Sequence, residues 1–155
     1  METPSFTKYP VLPIRGTVFF PGITIPLKVG RSRSLAAMKA VKENPWVIVV
    51  AQRDQSAGTG DPKIADLYRV GTLAKIETIR GADDTGYTIV ARGVARFRID
   101  EYIDAKPYLE AEGLLWKDDN DVDAKTNEAL LRSLKTTAGE ILGWFREIPN
   151  LSLIW

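Results

Sequence analysis

Two residue types that carry much of side-chain chemistry near neutral pH are missing: the chain has 155 residues and neither histidine nor cysteine. Ser-His and Cys-His nucleophile pairs are therefore excluded, as are thiol nucleophiles, disulfides and metals held by thiolate or imidazole. Carboxylate chemistry, a lysine-activated serine, or binding without chemistry remain. Ser32 or Ser34 with Lys39 is the available serine–lysine combination, and nothing near it marks an oxyanion hole. Acidic residues gather at Asp118, Asp119, Asp121 and Asp123. A calcium loop counted from Asp119 needs glycine at its sixth place, where Ala124 stands, so helix capping is the better reading. Gly58-Thr59-Gly60-Asp61-Pro62-Lys63 does not fit the phosphate-cradling GxxxxGK[ST] pattern. The residues assign no catalytic group, no metal and no cofactor.

The elements that would position any binding residues are legible in the periodicity. Hydrophobic residues make up 45% and charged residues 26%, a globular composition. The longest apolar run, Trp46 to Ala51, is far short of the ~20 residues that span a bilayer. Residues 1–8 read as a loose lead-in without the layout of a secretory signal, so a cytoplasmic protein with no membrane partner is expected. Tyr9 to Arg15 carries Pro10 and Pro13 and predicts an edge strand at best. Val18-Phe19-Phe20 runs into a Pro21-Gly22 turn, and Ile23 to Val29 alternates as a half-buried strand whose Pro26 again suggests an edge. Ser32 or Ser34 caps a short helix that Asn44-Pro45 stops. Trp46 to Ala51 predicts a strand buried on both faces. Residues 52–66 form a polar loop; 68–80 and 86–99 form a hairpin with a bulge at Gly93, and about 101–116 form a further strand bent at Pro107. The Asp118–Asp123 patch opens a helix whose Leu130, Leu131, Leu134, Ala138, Ile141, Leu142 and Phe145 make an apolar stripe, for packing against the barrel or another helix. Pro149 ends it, and the apolar tail Leu151 to Trp155 either packs back or continued in a longer parent chain. The division is thus 1–8, a β subdomain over 9–116, and a helical subdomain over 117–155.

Three ordered segments carry a resemblance. Val11-Leu12-Pro13-Ile14-Arg15, followed by Phe19-Phe20-Pro21-Gly22 and Ile25-Pro26-Leu27-Lys28-Val29-Gly30-Arg31, is similar to the LPLR…FPG…IPL…VGR opening of the N-terminal domain of the Lon ATP-dependent protease family. Asp66-Leu67-Tyr68-Arg69-Val70-Gly71-Thr72-Leu73-Ala74 resembles that family's DLY-x-VGT-x-A strand, and Gly93-Val94-Ala95-Arg96-Phe97-Arg98-Ile99 its G-x-x-R-F-x-I strand. Arg31-Ser32-Arg33-Ser34 is closer to the protease type than to shorter stand-alone relatives. The resemblance implies an α+β fold: a PUA-like, mostly antiparallel β-barrel with one inserted helix, then a C-terminal helical segment. It also implies a non-catalytic recognition domain, whose partners are unfolded or damaged protein substrates and the other subunits of a parent hexamer. The ATPase and the Ser-Lys peptidase of the family are absent from this sequence, so none of their residues carry over.

A binder of unfolded chains needs exposed apolar side chains with polar rims. Phe19 and Phe20 are adjacent and point to opposite faces of an extended chain, so at most one belongs to the core and the other meets a ligand or caps the barrel end. Arg31 and Arg33 open the short helix, where guanidiniums favour acidic groups of a peptide or simply face solvent. The candidate polypeptide-binding residues are therefore Phe19, Phe20, Arg31 and Arg33. Trp116 stands where sheet gives way to helix, as an interdomain packing residue or a substrate contact. Arg92, Arg96 and Arg98 lie around Phe97, and basic side chains near an aromatic ring suit single-stranded RNA. A net charge of +1 and strand alternation argue instead for a solvated outer face and against a nucleic-acid partner. The alternatives to polypeptide recognition are a structural, oligomerising module and an RNA-binding one.

Overall fold

The computed structural model describes residues 7–53, 60–119 and 121–146. Most of the lead-in, part of the 52–66 loop, Pro149 and the tail Leu151 to Trp155 lie outside the described residues. Two compact units result, one running to Asp118 and the other starting at Asp119.

In the first unit, β3 (Trp46–Ala51) is buried along almost its whole length. Val47 and Val49 enter one hydrophobic cluster, with Leu12, Phe19, Met38, Val41 and Ile89. Trp46, Ile48 and Val50 enter a second, with Tyr9, Leu73, Phe97, Ile99 and Leu109. The expected double burial is therefore correct, and its cause is that two cores share one strand. β1 (Lys8–Ile14) runs parallel to β3 on one side, and β4 (Val70–Ala82) runs antiparallel on the other. A Cβ on Gly71 would stand 2.8 Å from Ile48 Cγ2 and 2.9 Å from the Val49 carbonyl, so glycine lets β4 approach β3.

β4 and β5 (Gly86–Ile103) form the expected hairpin, with positive φ at Gly81 and Gly86 on either side of its turn. Val94 is the extra residue where Leu73 pairs Ala95 and Ala74 pairs Gly93, next to the glycine that signalled a bulge. β2 (Thr24–Val29) pairs the first half of β5 alone, so it is an edge, as Pro26 suggested. β6 (Glu110–Trp116) pairs both β1 and the second half of β5. The sheet thus curls back on itself through β6 and encloses the Phe97 cluster. α1 (Ser32–Glu43) buries Ala37, Met38 and Val41 in the other cluster. Lys42 donates to the Tyr87 hydroxyl at 2.9 Å, which donates to Asp83 at 2.7 Å and ties the helix end to the hairpin turn.

Three expectations change. β1 is an inner strand, flanked by β6 at Lys8–Pro10 and by β3 at Val11–Ile14. Each proline therefore meets a ladder on one side only, which is why a strand with two missing N–H donors survives there. Neither Ser32 nor Ser34 caps α1; Arg31 holds the cap position without a side-chain bond. The Asp61 carboxylate accepts from the Arg33 amide at 3.4 Å instead, from 28 residues away. The strand expected over 101–116 is two pieces: β5 continues through a bulge to Ile103, and β6 starts only after the bend containing Pro107.

The second unit is described by α2 (Ala124–Arg146). Asp123 accepts from the Thr126 amide at 3.0 Å and the Thr126 hydroxyl at 2.6 Å, and these bonds hold its carboxyl below the usual range. Asp123 of the acidic patch is thus a cap, as its position implied. The stripe residues Leu130, Leu131, Leu134, Ile141 and Leu142 are all exposed.

Phe97 is 1% exposed and meets Tyr9 edge-on with ring centroids 5.7 Å apart. Phe97→Ala is expected to cost ~3–5 kcal/mol in urea unfolding, whereas Phe20→Ala, at an exposed position, changes stability by ~0.5 kcal/mol or less.

Candidate functional site

Residues 15–23 connect β1 to β2 and carry the two adjacent phenylalanines. Gly16 and Gly22 have φ of 75° and 85°, which lets the chain turn at both ends of this loop. The Thr72 hydroxyl donates to the Phe19 carbonyl at 2.6 Å. The Gly22 amide donates to the Gly93 carbonyl at 3.0 Å, and the Gly93 amide donates to the Ile23 carbonyl at 2.8 Å. A Cβ at Gly93 would lie 2.4 Å from the Phe20 carbonyl oxygen, so the loop rests directly on β5 because residue 93 has no side chain. The backbone pinned in this way sends the two rings apart. Phe19 is 4% exposed in the α1-side cluster; Phe20 is 54% exposed.

Phe20 borders a groove of about 510 Å³ between this loop and the start of β4. Val18, Tyr68 and Val70 line it as well, and all three are exposed. Its floor includes Phe19, Val49, Ala51, Gly71 and Thr72, and its charged lining is Arg53, Arg69 and Arg96. The far wall is also fixed. The Tyr68 amide donates to the Ala51 carbonyl at 3.3 Å, and the Tyr102 hydroxyl donates to the Tyr68 carbonyl at 2.5 Å. Arg53 lies 5.2 Å from the Tyr68 ring centre; Arg69 lies 5.8 Å from the Tyr102 ring centre and donates to the Asp100 carbonyl at 2.7 Å. Burial pushes the Tyr102 phenol far above its ordinary pKa, against the opposing pull of Arg69 and Arg53. Four exposed apolar side chains on a pinned frame have the chemistry to cover an apolar ligand.

The four residues singled out in the sequence do not converge. Phe19 and Phe20 serve the groove. Arg31 lines a separate cavity of about 240 Å³ between the end of β1 and β2, with Arg15 and Lys28. Its Nη1 donates to Gln52 Oε1 at 3.4 Å, and burial, then the neighbouring Arg15, lower its pKa while Asp61 opposes them. Arg33 is ion-paired with Asp104. Arg92 pairs with Glu77 and Arg96 with Asp118, both at 2.7 Å, and Arg98 with Asp100 at 3.1 Å, so the arginine stripe is compensated along its length. Ser34 is buried while Lys39 is exposed. Among the described residues no three Asp, Glu, His or Cys side chains cluster to hold a metal ion. Trp116 is exposed at the end of β6, beside the exposed Leu114 and Leu115.

Sequence reasoning missed the far wall of the groove. Its signal was present: Tyr68 and Val70 are two apart and share a face just before Gly71, although Arg53 reaches them only through the fold.

Residues 8–153 match the family described as the ATP-dependent protease La (LON) substrate-binding domain. The chain belongs to that family. Lon protease 1 of Bdellovibrio bacteriovorus is 40% identical over 134 residues, which is 86% of this chain and 17% of the relative. A Lon protease of Anaeromyxobacter dehalogenans is 40% identical over 90% of this chain and 16% of its own length. The chain thus spans about a sixth of these relatives. The N-terminal domain of a Mycobacterium avium complex Lon protease superposes with a TM-score of 0.59 at 20% identity, over 92% of this chain and 76% of that one. A Lon N-terminal domain protein from Xanthomonas campestris superposes with a TM-score of 0.60 at 21% identity, over 83% and 71%. These likenesses establish the mostly β fold with two helices. The stretch matched is the Lon substrate-binding domain, a description that assigns binding to it and no catalytic step.

Two outcomes check the geometry. Gly93→Ala should shift the Phe20 loop and destabilise the domain by ~1–3 kcal/mol in chemical denaturation. Tyr102 should remain protonated beyond pH ~10, the ordinary tyrosine value. Because its folded pKa is raised, the stability it contributes is complete below pH ~10 and declines as pH rises above it. Tyr102→Phe should therefore flatten the alkaline arm of the stability–pH curve, followed by urea midpoints between about pH 8 and about pH 11.

Proposed function

We propose that this domain engages unfolded or degron-bearing polypeptide through the groove between the Phe20 loop and β4, and presents it to the rest of a Lon protease. The observation that carries this reading is the set of exposed apolar side chains, Val18, Phe20, Tyr68 and Val70, held at the rim of one groove by backbone hydrogen bonds. Unfolded chains share exposed apolar side chains and free backbone, and folded proteins hide both. A surface of this kind separates the two by burial alone. Each half-exposed rim side chain offers ~1 kcal/mol when covered. Ordering a flexible ligand offsets part of that sum. The expected affinity is weak, Kd ~10 μM to ~1 mM. Weak capture suits a module that must pass its substrate on. Of the residues marked in the sequence, Phe19 and Phe20 line this groove, while Arg31 and Arg33 lie apart from it and have no part in the proposal. ATP use and peptide cleavage belong to modules beyond the matched stretch.

A second role, in organising the Lon assembly, is supported by α2, where Leu130, Leu134 and Ile141 recur on one exposed face.

One labelled protein, offered in native and permanently unfolded forms, tests the first role by fluorescence anisotropy. The unfolded form should bind and the native form should not, and Phe20→Ser should weaken binding ~5–10-fold without unfolding the domain. Equal affinity for both forms would contradict substrate recognition here. Association that grows with concentration in sedimentation, and falls in Leu134→Glu, would support the second role.

A further inference from the structure

The charged lining of the groove has one sign. Arg53, Arg69 and Arg96 border it, and among the described residues no aspartate or glutamate does. The whole chain is balanced, at 21 basic and 20 acidic residues, so the bias is local. Arg96 is compensated by Asp118 at 2.7 Å. Arg33, Arg92 and Arg98 elsewhere on this unit are likewise paired with carboxylates. Arg53 and Arg69 are held differently. Arg53 lies against the Tyr68 ring, and Arg69 against the Tyr102 ring and the Asp100 backbone carbonyl. A ring face or a neutral carbonyl orients a guanidinium without cancelling its charge. Both arginines are exposed, and neither meets a carboxylate within ion-pair distance among the described residues. Among the described residues they therefore stand oriented and without a carboxylate partner beside an apolar surface.

We propose that the groove selects a subset of unfolded chain: segments in which an aromatic or branched aliphatic residue is flanked by aspartate or glutamate. The apolar residue covers Phe20, Tyr68 and Val70, and the flanking carboxylates meet Arg53 and Arg69. Segments with lysine or arginine at the same flanks are disfavoured by repulsion and by desolvation of unpaired charge. This rests on the groove being the polypeptide site, and it adds a charge preference that burial alone does not supply. Burial sets whether a segment binds, and the two arginines set which segments bind well.

Three labelled peptides of equal length, each with a central Phe-Leu pair flanked by aspartate, serine or lysine, test it against the intact chain by anisotropy. The aspartate peptide should bind about 10-fold more tightly than the lysine peptide at low salt, with serine between them. The ratio should shrink toward 1 at about 0.5 M salt, where such exposed contacts are screened. Arg53→Gln with Arg69→Gln should bring the ratio of aspartate-peptide to lysine-peptide affinity to about 1. If all three bind alike and Phe20→Ser weakens them all, the groove stands as the site and the charge preference is wrong. If none binds, the groove itself is wrong. A lysine peptide that binds best overturns the proposal. The salt series on the unaltered chain decides the matter even if the double variant does not fold.

Discussion

From Trp46 to Val50, β3 is buried on both faces, and the rest of the first unit follows from that. Alternate side chains of Trp46 to Val50 enter two different cores, so each side of the strand must be covered. On one side the sheet curls through β6 to enclose Phe97 and Ile99; on the other α1 lays Met38 and Val41 over Val47 and Val49. Both neighbours of β3 must also lie close. Gly71 gives β4 that closeness, since a Cβ there would collide with Ile48 and the Val49 carbonyl. The end of β3, with Val49 and Ala51, then becomes the floor of the groove. Groove and core are consecutive stretches of the same strand.

The groove combines a rigid frame with side chains that a stable fold would otherwise hide. Thr72 and Gly93 fix the backbone of the Phe20 loop, and Tyr102 fixes that of Tyr68. None of these contacts uses the apolar groups at the rim. The apolar rim is thus free to meet a ligand without loosening the wall behind it. Under the proposed role, a preformed site would leave most of the ordering cost with the flexible ligand, and capture would be weak and reversible. In a Lon substrate-binding domain, weak reversible capture is compatible with handing a chain onward.

Much of this architecture was legible in the residues. The β-branched run of β3, the alternation of β2, the stop at Asn44-Pro45 and the glycine near the β5 bulge each have one local physical meaning, and each was met. What failed had non-local causes. Pro10 and Pro13 marked an edge, but two different strands each flank half of β1. The α1 cap came from Asp61, which no local pattern connects to Arg33. At the site, the adjacency of Phe19 and Phe20 announced that the two would part, and they did. Arg31 and Arg33 shared a helix start in the sequence, yet one lines a cavity beside Arg15 and the other pairs with Asp104. Arg53 joined the groove across the fold, with no spacing to betray it.

Whether polypeptide meets this domain at the groove between the Phe20 loop and β4 can be read residue by residue. Amide chemical shifts of the ¹⁵N-labelled domain, followed through a titration with a permanently unfolded protein, give that readout. Shifts concentrated at Val18–Phe20 and Tyr68–Thr72, with β2 and the exposed face of α1 unmoved, are the expected result. Shifts centred on Arg15, Lys28 and Arg31, with the groove silent, would contradict the assignment.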